Sequence, residues 1–245
     1  MPARHPSPLP VSGRLAWWGT AWLRGLVVTD LVIDAVLGDD TTHVVAGIPG
    51  TDGPVPLARA LAELRISGAT SIGLAVPAPG DPVGLGGPPD LNSAALEAGE
   101  AAVSVGLGLV PRQVGAAVEW TAYDALPRRL DDVGECDRAL RVALQETAGT
   151  LSDLDVARWR PEAADALMNL RHRPDLVPPP GTPGRCVELA GRALQALGIV
   201  ELALADDGPA LDAGRAGARH DALTPLATAA RRGLAAACSP EVWPE

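Results

Sequence analysis

The chain contains no lysine and no phenylalanine, and all twenty of its basic residues are arginine. Without a lysine amine there is no Schiff-base or pyridoxal-phosphate chemistry, no phosphate-binding P-loop and no protein-kinase catalysis. Cysteine is sparse. Cys136, Cys186 and Cys238 lie about fifty residues apart, so no CxxC redox pair or local zinc-ligand pair is present. Such a set reads as reduced thiols packed between helices in a cytoplasmic protein. Long apolar runs are missing too. The most apolar early stretch, Gly25 to Gly38, is interrupted by Asp30 and Asp34 and is too short to span a bilayer. The first ten residues carry four prolines and no apolar segment of the kind a secretory signal needs. Positive charge is in deficit as well: 20 Lys+Arg against 30 Asp+Glu give a net charge of −10, the wrong balance for neutralising the phosphates of a nucleic acid.

What remains is 245 residues, 47% hydrophobic and 20% charged, enough for a sizeable core. A disordered tail over residues 1–11 is expected to precede a single domain over 12–245. Ser12 is placed to cap a first helix with Leu15, Trp18 and Trp22 on one face and Gly25 at its end. Thr29 or Asp30 starts a second, ending at Gly38. Thr42–Gly47 reads as a strand, Pro56–Ser67 as a helix and Thr70–Val76 as a strand, together a β–α–β unit. The passage Pro77–Asn92 is so dense in proline and glycine that it must be an irregular loop. Ser93–Ala101 then reads as a short helix, followed by two strands, Ala102–Val110 and Val114–Tyr123, joined around Pro111.

From Asp131 the pattern becomes helical. Val133, Cys136, Leu140, Leu144 and Thr147 fall on one face of a helix over 131–148. Two shorter helices are expected between Asp153 and Arg171, so that residues 131–172 form a helical lobe, followed by a stiff linker over 173–183. A helix from Thr182 to Leu197, closed by Gly198, leads to a strand at Ile199–Ala205, a turn at Asp206–Gly208, and a last helix from Asp221 or Thr224 to Cys238. The helix-then-strand succession of Leu57–Val76 is echoed by Leu189–Ala205. The fold class is therefore α/β or α+β, with a mixed sheet of five or six strands covered by helices and a helical segment in the second half.

Chemistry-bearing residues are dispersed. The loop Pro77–Asn92 leaves the end of an apolar strand and enters a helix, where open α/β sheets commonly place a ligand crevice. Its Gly84–Pro89 segment is no dinucleotide fingerprint, since Pro88 and Pro89 remove N–H donors. Asp81, Asn92 and Ser93 are the ligand-binding candidates there. Glu97 and Glu100, three residues apart, would share a helix face as a carboxylate pair. His43, just after Asp39 and Asp40, has the neighbours of a general base or of a hydrogen-bonded structural histidine. His172 and His220 show no metal-ligand spacing, so no metal site and no cofactor can be read, and no serine elbow is present. Trp17, Trp18 and Trp22 form a cluster that one helix cannot wholly bury, which makes them candidates for a subunit contact. Arg128–Arg129, Arg171–Arg173 and Arg231–Arg232 read as solvated or salt-bridged ends.

The stretches APGDPVGLGGPPDLN…ALEAGEA (Ala78–Ala101), GLGLVP (Gly106–Pro111) and LDVARWRPEAAD (Leu154–Asp165) resemble an uncharacterised family of high-GC actinobacterial proteins, and the lysine-free composition fits such a genome. The resemblance spans most of the chain and implies no reaction, cofactor or catalytic residue.

Two functions follow. The favoured one is a non-catalytic cytoplasmic protein, homodimeric, that binds a small ligand or a protein partner, without nucleic acid or membrane. The alternative is a small-molecule hydrolase or transferase in which His43, Asp81, Glu97 and Glu100 gather near loop 77–92 for acid–base or metal chemistry. It requires those four side chains to meet in one concavity.

Overall fold

The computed structural model describes residues 7–153, 175–205 and 213–244. Helix α1 (Val11–Leu23) opens the fold and α2 (Thr29–Leu37) follows it. Strand β1 (Thr42–Ala46), the two-residue β2 (Val55–Pro56) and α3 (Leu57–Ile66) come next, then β3 (Gly73–Ala75). Helix α4 (Pro89–Ala98) leads into a meander of β4 (Ala101–Ser104), β5 (Leu107–Val114) and β6 (Ala117–Asp124). The second half holds α5 (Val133–Asp153), α6 (Gly184–Ala205) and α7 (Ala213–Ala237), and ends in a 3-10 turn, Pro240–Val242. The architecture is mixed α/β, as the sequence pattern implies.

The six strands lie in the order β2-β1-β6-β5-β4-β3. Only β1 and β6 run parallel; the other neighbours are antiparallel. Period-two alternation divides the sheet between two cores. Leu74, Ala102 and Leu109 join Val45, Val118 and Trp120 in the main cluster with α1, α3 and the C-terminal helices. Their chain neighbours Ala75, Ala101, Val103 and Val110 face the other way, against Leu91 and Ala95 of α4. The main cluster runs from Leu9 to Cys238. Thr20 ties α1 to the chain before β3, its hydroxyl donating to the Ile72 carbonyl (3.0 Å) and accepting the Ile72 N–H (2.9 Å).

Several expectations need correction. Leu9 is buried and Val11 opens α1, so the last residues of the expected tail over 1–11 are packed, while Ser7 and Pro8 are exposed. Pro10, not Ser12, occupies the N-cap of α1. Gly25 does end it, at φ 73°, with the Leu26 N–H reaching back to the Ala21 carbonyl (2.8 Å). Strands β1 and β3 are separated by β6, β5 and β4, so Thr42–Val76 is no parallel crossover. Pro111 does not join two strands. It sits within β5 opposite Trp120, past Leu109, where pairing to β4 stops, so its missing N–H costs no bond on that side. Helix α4 starts four residues early because proline is tolerated in a first helical turn.

Residues 184–205 form one helix, which removes both the strand at Ile199–Ala205 and the apparent repeat. Ala193, Ala196, Val200 and Ala203 are all buried in the main cluster, a spacing of three and four that only a helix satisfies. Helix α7 begins at Ala213 and continues through Pro225, which lies on its exposed side. Helix α5 matches its expected face: Val133, Cys136, Leu140 and Thr147 are buried, and Asp132 caps it by accepting the Gly134 N–H (2.7 Å). The helices expected over 153–171, the triplet Arg171–Arg173 with His172, and the turn at 206–208 lie outside the described residues, apart from Asp153, which ends α5. Among the described residues no helix is long and apolar enough to cross a membrane.

Candidate functional site

The proline- and glycine-rich passage after β3 is irregular but closely bonded. Val76 N–H donates to the Val83 carbonyl (3.1 Å), and Ala78 and Asp81 exchange two backbone bonds of 2.9 Å. Gly84 fits where nothing larger would, since a Cβ there would stand 2.7 Å from Ala75 Cα. Asn92, one turn into α4, accepts the Gly87 N–H on Oδ1 (3.1 Å), and Leu126 N–H donates to the Gly87 carbonyl (3.0 Å). Between this loop and α4 lies an open hollow of about 300 Å³. Pro77, Pro82, Leu85 and Leu96 supply its apolar lining, and Asp81, Asn92 and Ser93 its polar groups. The three ligand-binding candidates of the sequence therefore do share one concavity. Asp81 is already engaged, its Oδ1 3.2 Å from Arg232 on α7.

The other acid–base candidates lie elsewhere. Gly99 takes a left-handed conformation (φ 77°) that ends α4, so Glu100 is not on the helix and shares no face with Glu97, which is solvent-exposed. Glu100 turns back beneath α1, where Oε2 accepts the Ser12 N–H (2.7 Å). It does the work of a cap that Pro10 lacks the side chain to do. Burial pushes the Glu100 carboxyl above its ordinary 4.5, against the opposing pull of Ser12 and Arg14. Since the folded protein then holds this proton more tightly than the unfolded chain, stability falls as pH rises from 4.5 through the folded value. Glu100→Gln is expected to flatten that slope in a comparison of denaturant midpoints across pH. Glu100→Ala is expected to lose about 1 kcal/mol through the vacated cap.

His43 is fully buried and both ring nitrogens are occupied. The Trp120 indole N–H donates to Nδ1 (3.3 Å), which fixes the tautomer: the proton sits on Nε2 and points at Asp40 Oδ2 (3.2 Å). Burial lowers the His43 pKa below 6.5, more than Asp40 raises it. Asp40 also accepts from Gln113 (2.9 Å), and its carboxylate is held below the usual range by Gln113, His43 and Arg14. Arg14 stands 3.9 Å from Asp40 and feels the charge of Glu100 as well. His43 is thus bonded to Asp40 and Trp120 and Glu100 to Ser12, while Asp81 and Glu97 lie apart from both. The four side chains do not meet in one concavity.

Trp17 and Trp22 are spent inside the chain. Trp17 donates to the Ala237 carbonyl (3.1 Å). Trp22 donates to Thr29 Oγ1 (2.9 Å), and the Arg65 guanidinium carbon stands 3.3 Å from its ring centroid. Only the partly buried Trp18 keeps some surface. The three cysteines are buried and unpaired; burial raises the Cys136 and Cys186 thiols to about 11, and Cys238 further still. Among the described residues no three His, Cys, Asp or Glu side chains are grouped to hold a metal ion.

Sequence reasoning missed Arg128. Its side chain is 5% exposed and all five of its N–H groups are used. Nη1 donates to the Leu74 and Gly84 carbonyls (3.0 Å each). Nη2 donates to Ser239 Oγ (3.1 Å) and Glu241 Oε1 (2.7 Å), and Nε donates to the same Glu241 oxygen (3.1 Å). Read from sequence as a salt-bridged end, it has the expected acid but also anchors the edge of β3 and the loop beside the hollow.

Fold and site together define a mixed α/β protein with a preformed surface hollow braced by a buried arginine. The chain belongs to the Rv1486c-like protein family: the model of that family's N-terminal domain matches residues 12–133 and that of its C-terminal domain matches residues 134–235. No curated protein and no solved structure matches the chain.

Proposed function

We propose that this chain is a non-catalytic binding protein whose ligand is a small, mainly apolar molecule seated in the hollow between the 77–88 loop and α4. The observation that carries the reading is the hollow itself. At about 300 Å³ it reaches the lower end of the range for small-molecule sites, with the apolar wall and few polar groups such sites have. Asn92 adds specificity: its carbonyl oxygen is held by Gly87 N–H, which orients its amide as a donor toward a ligand carbonyl. The loop's own backbone hydrogen bonds, Val76 to Val83 and Ala78 to Asp81, favour binding, since little chain entropy is lost on association.

The non-catalytic part of the proposal rests on His43 and Glu100, which are committed to Trp120, Asp40 and Ser12. We further place the protein in the cytoplasm, as its unpaired thiols suit, and in a high-GC actinobacterium, as its lysine-free composition suits. Self-association as a homodimer would draw on Leu26, Val28 and Leu31, exposed around the turn between α1 and α2; native mass spectrometry reads that directly as a doubled mass.

The binding test is a titration with benzamide and hexanoate, followed by amide shifts in two-dimensional NMR. Saturable shifts confined to residues 77–96, and lost in Leu96→Asp, are expected. Shifts absent, or scattered over the surface, would discard the proposal.

A further inference from the structure

We propose that the C-terminal segment Ala237–Trp243 is a strap that sets the shape of the loop over residues 76–88 through a releasable contact at Glu241. It lies beyond residue 235, where the match to the family's C-terminal domain stops, yet it reaches back to β3 and to Arg128. Ser239 Oγ accepts the Leu74 N–H (3.2 Å) and takes a bond from Arg128, while Arg128 takes the Leu74 carbonyl. Leu74 pairs with Ala102 through the other strand, so these two side chains supply what a further strand would supply at β3.

The guanidinium transmits the strap's position. It is planar and rigid, with one edge on Ser239 and Glu241 and the other on Leu74 and Gly84. Where the strap holds the first edge, the second is aimed at the Gly84 carbonyl. Arg232 of α7 holds the same loop at Asp81, so two arginines brace it. The strap closes on itself, the Ala237 carbonyl accepting from both Trp17 (3.1 Å) and Trp243 (3.0 Å), and Val242 and Trp243 pack against the main cluster. Its exchangeable contact is the Glu241 carboxylate, which is 41% exposed and open to salt and to competing cations.

The proposal rests on the binding reading only for what the loop's shape serves; the coupling is measured without ligand. The experiment is hydrogen exchange on the full chain carrying Glu241→Ala, Glu241→Gln or Ser239→Ala. In Glu241→Ala the bonded amides of Val76, Ala78, Asp81, Val83 and Leu85 should exchange about two- to fivefold faster, the factor that loss of a partly exposed, screened ion pair implies. The β5–β6 amides should keep their rates. Glu241→Gln, which keeps an acceptor, should recover part of the protection. Glu241 is partly exposed, so its variants remain informative even where Ser239→Ala, at a buried site, fails to fold. Unchanged loop exchange in a folded Glu241→Ala protein, or acceleration spread evenly over the sheet, overturns the strap. Failure of benzamide and hexanoate to bind the unmodified chain would strike the binding reading alone.

Discussion

Arg128→Ala is expected to cost about 3–5 kcal/mol of folding stability, since it strips a donor from three acceptors, the Leu74 and Gly84 carbonyls and Ser239 Oγ, at roughly 1–3 kcal/mol for each left unsatisfied. At this chain length that corresponds to a fall of roughly 6–20 °C in Tm. Little of the loss belongs to the Glu241 pair itself, because that carboxylate is 41% exposed and well screened. The larger share comes from the Leu74 and Gly84 carbonyls and from Ser239, which lose a donor in a dry setting. Arg128→Lys separates charge from geometry. An ammonium keeps the charge but cannot bridge loop and strap with a fork of five donors, so it should recover less than half of the loss. A lysine variant as stable as the original in a urea melt would show that charge, not shape, holds this corner.

His43→Ala is the second large effect, expected at about 3–4 kcal/mol. It combines a cavity in the core with a buried Trp120 indole N–H left without its acceptor. His43→Gln, which keeps an acceptor for the indole, should cost less. The pH dependence separates the histidine's charge from its bulk. The ring is held neutral in the fold, with its pKa below 6.5, so the unfolded chain protonates first as pH falls. The contribution is therefore complete above 6.5 and is lost as pH drops from there toward the folded value. The groups facing the ring are Trp120, Asp40 and, beyond it, Arg14. Asp40 loses its own contribution only below 3.8, since its folded pKa is lowered, so it stays constant between pH 5 and 7. Between pH 5 and 7 the histidine adds an upward slope to stability measured in urea and Glu100 a downward one, so the test is the difference between proteins: His43→Gln should remove the histidine's upward part and leave that of Glu100. The same slope in both proteins would mean that this histidine is not held neutral.

How much of this was legible in the sequence varies with the range of the interactions. Local signals worked. The apolar stripe of α5, the glycine ending α1 and the loop character of 77–88 are all set within a few residues, and the loop reading led to the hollow through Asp81, Asn92 and Ser93. Glu100 was misread for an equally local reason: the spacing to Glu97 is helical, but Gly99 ends the helix between them. Ile199–Ala205 alternates as a strand would, yet small apolar residues fit both periods, and only burial against α7 decides for the helix. Arg128 was beyond reach. Its partners stand 44, 54, 111 and 113 residues away, and no spacing rule joins such positions before the chain has folded. The sheet order was out of reach in the same way, since β1 meets β6 in pairs as distant in sequence as Thr42 and Ala117.

The side chains seated along the outer edge of β3 also restrict how copies of the protein can assemble. With Leu74 N–H taken by Ser239 and its carbonyl by Arg128, that edge offers no template for main-chain annealing. At the far edge β2 spans two residues, one of them Pro56, which has no N–H to donate. Growth by strand addition, the common route from native β-proteins to fibrils, is therefore hindered at both of these edge strands.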